Sequence, residues 1–280
     1  MTSDSSAFIS VRDYWTFRSH VVRQRRYFRT AEAEQFLMSV KATVTSRILE
    51  LPENWTAWRA RIGHSMRYEP QIEEELPTAL GSDGMKPLRD RASEGRVNPK
   101  GLPCLYVASN ARTALSEVRP WLGALVTVSS LRITRPLRIV DCSHRHSPTR
   151  IYLKEPDVAG RIEAVWADIN SAFSEPATRD ESTADYVPTQ ILAELFRDLG
   201  YDGVVYRSAF GEDGFNIALF DLDAAEVQSC VLKEVTQMTY DDRALENPWF
   251  VTDEGLVRNV ITDIQPIPKS QDASNEVGKI

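Results

Sequence analysis

The sequence of 280 residues contains little cysteine and no long apolar run. Its three cysteines, Cys104, Cys142 and Cys230, show no paired spacing, which favours free thiols in a reducing compartment over a secreted domain held by disulfides. No apolar stretch approaches the roughly 18 residues that a membrane span needs. The beginning of the sequence also lacks the basic-then-apolar pattern of a signal peptide. These absences predict a cytoplasmic protein without a membrane partner.

An excess of basic residues is also missing. The 40 acidic residues outnumber the 33 lysines and arginines, and the net charge of −7 argues against direct nucleic-acid binding. The sequence contains no G-x-G-x-x-G or Walker loop, so no dinucleotide fold of the Rossmann type is expected. His144 and His146 have no further ligand at metal-binding spacing, and no metal site is predicted.

The residues that are present suffice for a sizeable core, since 42% are hydrophobic and 26% are charged. Residues 8 to about 51 contain apolar side chains at steps of three and four without Gly or Pro, which predicts helices. The alternating or Val-rich runs after Leu102 predict strands, separated by helices over 157–173 and 189–199, the latter capped near Thr189. Helices and short strands mixed without regular alternation predict an α+β fold.

Three segments follow from this pattern. Residues 1–52 are predicted to be a helical N-terminal extension, residues 53–245 a mixed-sheet catalytic domain, and residues 246–280 a partly disordered tail. An opening strand is expected over 55–62. Residues 63–102 contain much Pro, Gly and acid, and are expected to form a long irregular stretch.

One block carries most of the chemical information: GRVNPKGLPCLYVASNARTALSEVR, residues 95–119. It predicts a polar loop with Arg96, a short strand with Tyr106, and a helix that Ser109 or Asn110 can cap. The helix carries one carboxylate, Glu117. An arginine, a tyrosine and a glutamate so arranged suit a ligand that combines an anion with a sugar.

This block resembles the RES domain family, which is named for recurring Arg, Glu and Ser residues. A second block, YVPTQ at 186–190 followed by GYDGVVYRS at 200–208 and NIALFD at 216–221, resembles the later motif of that family. The resemblance covers roughly residues 55 to 235. It implies a fold like that of the ADP-ribosyltransferases, with NAD+ as a substrate and no resident cofactor.

The resemblance also implies roles for individual residues. Glu117 would face the ribose and stabilise an oxocarbenium-like transition state, as hydrogen bonds to a sugar do in glycoside hydrolysis. Arg96 and Arg59 would bind the pyrophosphate, with Arg61 on the same strand face as the alternative to Arg59. Tyr106 would stack on a ring and use its hydroxyl on a sugar or phosphate.

The remaining implied residues come from the second block. Ser208 would position the nicotinamide and ribose, and no base partner that could make it a nucleophile is apparent. Asn216 would contact the substrate, and Gln190 is a further candidate whose amide is as well explained by hydrogen bonding in the core.

Three functions remain open on this basis. The first is NAD+ cleavage at the nicotinamide–ribose bond by a glycohydrolase or phosphorolase, in a toxin that a DNA-binding antitoxin of Xre type holds inactive. The second is ADP-ribosyl transfer to a protein. The third is a non-catalytic, defence-associated binding module.

Overall fold

The structure, a computed structural model, describes residues 7–143, 152, 154–175, 183–210, 214–240, 242, 249–252 and 255–258. Residues 1–237 form one compact unit and residues 238–280 form a second. The segment predicted as an N-terminal extension is therefore part of the first unit. The second unit contains one hairpin of strands, whereas the last residues, from 259 onwards, lie outside the described part.

Five α-helices and twelve strands are seen in the described residues. The helices are α1 Asp13–Arg23, α2 Ala31–Thr43, α3 Ala111–Glu117, α4 Val158–Ser174 and α5 Val187–Asp198. The strands are β1 Ile48–Leu51, β2 Thr56–Ile62, β3 Ser65–Glu69, β4 Glu74–Thr78, β5 Leu105–Ala108, β6 Leu125–Ile133, β7 Leu137–Asp141, β8 Gly203–Arg207, β9 Phe215–Leu219, β10 Ala225–Glu234, β11 Trp249–Thr252 and β12 Gly255–Arg258.

Eight of the strands form one mixed sheet in the order β1-β7-β8-β9-β5-β2-β6-β10. Its neighbours are antiparallel except for β7 and β8, which run parallel. Helices α1, α2, α4 and α5 bury their apolar sides together with residues of β7, β8 and β9 in one core. A mixed sheet with helices packed on it confirms the predicted α+β class.

The N-terminal prediction was correct for the helices and wrong at its end. Helices α1 and α2 lie where the apolar spacing placed them, but Ile48–Leu51 is strand β1 and pairs with β7 at the edge of the sheet. Ile48 and Leu51 stand three residues apart and so also fit a helical pattern. A short apolar run does not distinguish a buried strand from a helix by spacing alone.

Two other predictions need correction. The stretch 63–102 is not wholly irregular, because β3 and β4 form a hairpin and Ser82–Met85 a 3-10 turn. Helix α5 begins at Val187 rather than near Thr189, since Pro188 occupies its first turn, where a proline is well tolerated. Gly200, at φ +80°, ends it as predicted.

Candidate active site

A cavity of about 400 Å³ is lined by residues of β2, β5, β8, β9 and α3. In the ladder between β2 and β5, both of which the structure describes in full, the paired residues are Trp58 and Ala108. Side chains of both strands line the cavity. The volume lies within the range of small-molecule sites, about 300–1,000 Å³.

The cavity brings together five of the six residues that are expected to act on the substrate, with Arg61 and Gln190 counted separately as alternatives. Its lining includes Arg59, Arg96, Tyr106, Glu117 and Asn216, which come from five separate segments of the chain. The sixth, Ser208, is buried beside it and reaches the cavity through a hydrogen bond to Glu117.

Glu117 is the last residue of α3, and local sequence fixes where that helix begins. Asn110 is the N-cap, and its side chain accepts a hydrogen bond from the Thr113 N–H at 2.8 Å. Ser109, the other predicted cap, instead accepts from the N–H of Phe215, the first residue of β9. The seven-residue helix therefore starts at a defined point and presents its final carboxylate to the cavity.

Two side chains hold the Glu117 carboxylate at the same oxygen. The Ser208 hydroxyl and the Asn216 amide each donate to Glu117 Oε1 at 2.6 Å. Among the described residues, none donates to Oε2. Ser208, for which the sequence indicated no base partner, donates to a carboxylate that lies 91 positions away in the sequence. The carboxylate is thus oriented through one oxygen while the other remains available.

Arg59, rather than Arg61, faces the cavity. Its Nη1 donates to the Tyr106 carbonyl at 2.6 Å, whereas Arg61 donates to the Gly84 carbonyl and is not part of the lining. Burial, with a smaller contribution from the Arg61 charge, lowers the pKa of the Arg59 guanidinium to about 10. Among the described residues, its buried Nε has no hydrogen-bond partner. A buried cation with an unused donor suits an anionic ligand.

The Arg96 guanidinium is held between two helices. Its Nη1 donates to the Ala172 carbonyl of α4 at 3.2 Å, and its carbon lies 4.9 Å from the centre of the Tyr186 ring, just before α5. The Arg96 carbonyl accepts a hydrogen bond from the Thr189 hydroxyl at 2.7 Å. Both its side chain and its backbone are therefore fixed from the helical side.

The Tyr106 hydroxyl does something other than predicted. It accepts from the Val97 N–H at 3.0 Å and donates to Asn98 Oδ1 at 2.8 Å, so it holds the Arg96 loop. Burial raises the pKa of Tyr106 well above its ordinary value. A side chain on Gly95 would place its Cβ only 2.6 Å from this hydroxyl. The ring still lines the cavity, but its hydroxyl oxygen is hydrogen-bonded to the loop.

Gln190 has the same structural role from α5. Its amide donates to the Gly95 carbonyl at 2.9 Å and to the Asn98 carbonyl at 3.2 Å. The second motif is thus joined to the first through main-chain acceptors. Hydrogen bonding within the fold, one of the two interpretations of Gln190, is what the structure contains.

Several aromatic side chains of the cavity were not identified from the sequence. Trp58, Phe173, Tyr186, Tyr206 and Phe210 line it. Tyr186 and Tyr206 belong to the motifs quoted above, so that signal was available. The others have no local pattern that separates them from core residues.

The remaining sequence predictions concern metal ligands, membrane spans and cysteines. His144 and His146 lie outside the described residues, and within those no three His, Cys, Asp or Glu side chains are grouped to hold a metal ion. In the same part of the chain, every helix is too short or too polar to pass through a bilayer. Cys104, Cys142 and Cys230 are free thiols; the first two are buried, whereas Cys230 is partly exposed.

Comparison with known proteins gives one firm assignment. No curated protein matches the chain. Among solved structures, it is similar to a chain in the crystal structure of the M. tuberculosis MbcT–MbcA toxin–antitoxin complex, with 16% identity, 68% of this chain and 90% of that chain covered, and a TM-score of 0.36. The RES domain family matches residues 74–242, which include every singled-out site residue except Arg59. Since that match spans more than half of the sequence and contains the Glu117 cluster, the chain belongs to the RES domain family.

Proposed function

We propose that this RES domain protein consumes NAD+ by cleaving the bond between nicotinamide and ribose. The observation that supports this most is the Glu117 carboxylate, held at Oε1 by Ser208 and Asn216 in a cavity that Arg59 and Arg96 also line. One fixed carboxylate together with two cations matches a substrate that has a ribosyl centre and a pyrophosphate.

The chemistry requires a negative group near the anomeric carbon. As nicotinamide departs, positive charge develops on the ribose, and a preorganised carboxylate stabilises it without reorganising. Glu117 Oε2 would accept hydrogen bonds from the ribose hydroxyls, while Ser208 and Asn216 keep Oε1 fixed. Nicotinamide leaves as a neutral base and needs no proton, so a site with one carboxylate is sufficient.

The two arginines would bind the opposite end of the substrate. The unpartnered Nε of Arg59 and the planar guanidinium of Arg96 suit phosphate oxygens, which accept paired N–H donors. Binding a pyrophosphate would also compensate the burial of Arg59. The rings of Trp58, Tyr106 and Tyr186 offer faces on which nicotinamide or adenine can stack.

The direct test replaces Glu117 with glutamine. Glu117→Gln keeps the size and the hydrogen-bonding capacity of the side chain but removes its charge. Loss of one such group typically lowers the rate by a factor of about 10²–10³. NAD+ turnover is measured beside a thermal melt, with Glu194→Gln on the exposed side of α5 as the matched control. Full turnover in a well-folded Glu117→Gln variant would refute the proposal.

The products of the wild-type reaction identify the acceptor. Free ADP-ribose means that water attacks the ribosyl centre, and ADP-ribose phosphate means that phosphate does. Protein that carries ADP-ribose means that a side chain is the acceptor. Our proposal is water or phosphate. Absence of all three products from wild-type protein would leave the non-catalytic module as the function.

We extend the proposal to the cell. Depletion of NAD+ in the cytoplasm would make the protein a toxin, and a DNA-binding antitoxin that covers the cavity would hold it inactive. Expression in a bacterium without that antitoxin should stop growth together with a fall in cellular NAD+, and Glu117→Gln should do neither. Growth arrest by Glu117→Gln at equal expression would separate toxicity from NAD+ cleavage.

A further inference from the structure

Helix α1 lies upstream of the residues that match the RES family, yet it is packed into the same core as the cavity wall. Tyr14 and Phe17 of α1 are fully buried with residues of α4 and α5, the helices that flank Arg96. Burial raises the pKa of Tyr14 and the Arg18 charge opposes this; Glu175 and Arg96, both cavity residues, have smaller effects. The helix is therefore close to the proposed site.

One ion pair joins α1 to the segment that carries Tyr186. Arg18 Nη2 lies 2.6 Å from Asp185 Oδ1, and both side chains are about a third exposed, at 29% and 34%. Asp185 and Tyr186 are consecutive in the short 3-10 turn Thr183–Tyr186. Because the two residues are adjacent, an ion pair that holds Asp185 also restricts the backbone of Tyr186.

Tyr186 in turn contacts the arginine that is proposed to bind phosphate. Its ring lies under the Arg96 guanidinium at 4.9 Å, and its carbonyl accepts from Thr189, whose hydroxyl also donates to the Arg96 carbonyl. A chain of contacts thus runs from Arg18 through Asp185 and Tyr186 to Arg96. Each link is a direct contact between described residues.

We propose that α1 is a positioning element of the substrate site, and that the Arg18–Asp185 ion pair holds Tyr186 beneath Arg96. The inference rests on the proposed function, because it assigns α1 a part in gripping the pyrophosphate. Through Arg18, the inference adds to the substrate site a residue outside the family-matched residues 74–242. Arg18 and Asp185 touch no reacting atom and act through Tyr186.

The test measures NAD+ binding by calorimetry in the slow Glu117→Gln background, where turnover does not interfere. Arg18→Met should raise the Kd for NAD+ by about two- to tenfold, the lower part of the range of about two- to thirtyfold that is typical of coupling through intermediate residues. Asp185→Asn should have a similar effect, and the two changes together should cost no more than either alone. Arg23→Met, an exposed arginine at the end of the same helix, controls for lost charge and should leave the Kd unchanged.

A second readout separates positioning from general loss of structure. With wild-type Glu117, Arg18→Met should raise the KM for NAD+ and change kcat by less than about twofold, since the carboxylate cluster is untouched. The reversed pair, Arg18→Asp with Asp185→Arg, should recover part of the affinity. If Arg18→Met binds NAD+ as well as Arg23→Met does, the inference is wrong. If the Glu117→Gln parent itself binds no NAD+, the proposed function fails instead.

Discussion

At the scale of single residues, Tyr106 shows that a side chain can line a cavity while its polar atom is hydrogen-bonded within the fold. The sequence placed Tyr106 correctly at the cavity, but its hydroxyl is bonded to Val97 and Asn98. A sequence motif identifies candidate site residues. It does not show which of their polar atoms are hydrogen-bonded to one another. Here the tyrosine supports the arginine.

This arrangement gives a prediction about Gly95 and Tyr106. Tyr106→Phe leaves the Val97 N–H and Asn98 Oδ1 without that partner, which costs about 1–3 kcal/mol in the free energy of unfolding. Gly95→Ala brings a methyl group to 2.6 Å from the Tyr106 hydroxyl and 2.9 Å from Asn98 Oδ1, and such overpacking also costs about 1–3 kcal/mol. Since phenylalanine lacks the clashing oxygen, the double variant should be more stable than the two separate costs imply. Denaturant unfolding of all four proteins measures this.

The control for that cycle is Gly81→Ala. A Cβ on Gly81 would meet no atom within 4 Å, and the residue has φ −68°, which alanine adopts readily. It should change the free energy of unfolding by less than about 0.5 kcal/mol. Strict additivity of Gly95→Ala and Tyr106→Phe, within about 0.5 kcal/mol, would show that the close contact does not decide the choice of glycine.

At the scale of elements, the position of Glu117 depends on a very short helix. A seven-residue helix is marginal by itself, so its cap and its packing must hold it. Asn110→Ala removes the acceptor for the Thr113 N–H and should cost about 1 kcal/mol, or about 2–4 °C in Tm for a protein of this size. We expect a fall in kcat as well, because loosening α3 moves the carboxylate at its end.

Asn110→Ser is the matched variant, since serine caps helices about as well as asparagine. It should keep both the Tm and the kcat of the wild-type protein. Thermal melts and NAD+ turnover of the two variants are compared under the same conditions. Equal behaviour of the serine and alanine variants would mean that packing alone holds α3.

The elements themselves were largely predictable. The Val-rich runs gave β6 to β10, and Asp157 followed by apolar residues at helical spacing gave α4. Strand β1 was mistaken for helix because its two apolar ends stand three apart. The β3–β4 hairpin was missed because most of its side chains are exposed, so no apolar alternation marks it.

At the scale of the whole molecule, the sequence could not give the pairings that build the site. Ser208 and Asn216 meet Glu117 only because β9 lies between β8 and β5, and the helix that follows β5 carries the glutamate. Such contacts depend on strand order, which no local pattern contains. In the same way, the helical spacing of α1 predicted a helix but not the partner against which its buried side would pack.

The strand order also predicts that the family-matched segment alone does not fold. Strand β2 lies between β5 and β6 inside the sheet and pairs with β6 along its whole length from Thr56 to Ile62, yet it precedes residue 74. Without it the sheet is divided, and two strands are left with unpaired edges. The helical core also loses Tyr14, Phe17 and Phe36, which are buried against α4 and α5.

Residues 74–242 expressed alone should therefore lack a cooperative thermal transition, whereas residues 1–242 should melt as the full chain does. Circular dichroism during heating measures this, and dye binding to exposed apolar surface gives a second readout. The informative intermediate is residues 48–242, which restore β1 and β2 but omit α1 and α2. We expect this protein to remain unfolded or aggregate, because the apolar sides of α4 and α5 would be exposed to water. A cooperative melt of residues 48–242 near the Tm of the full chain would show that α1 and α2 are not required for folding.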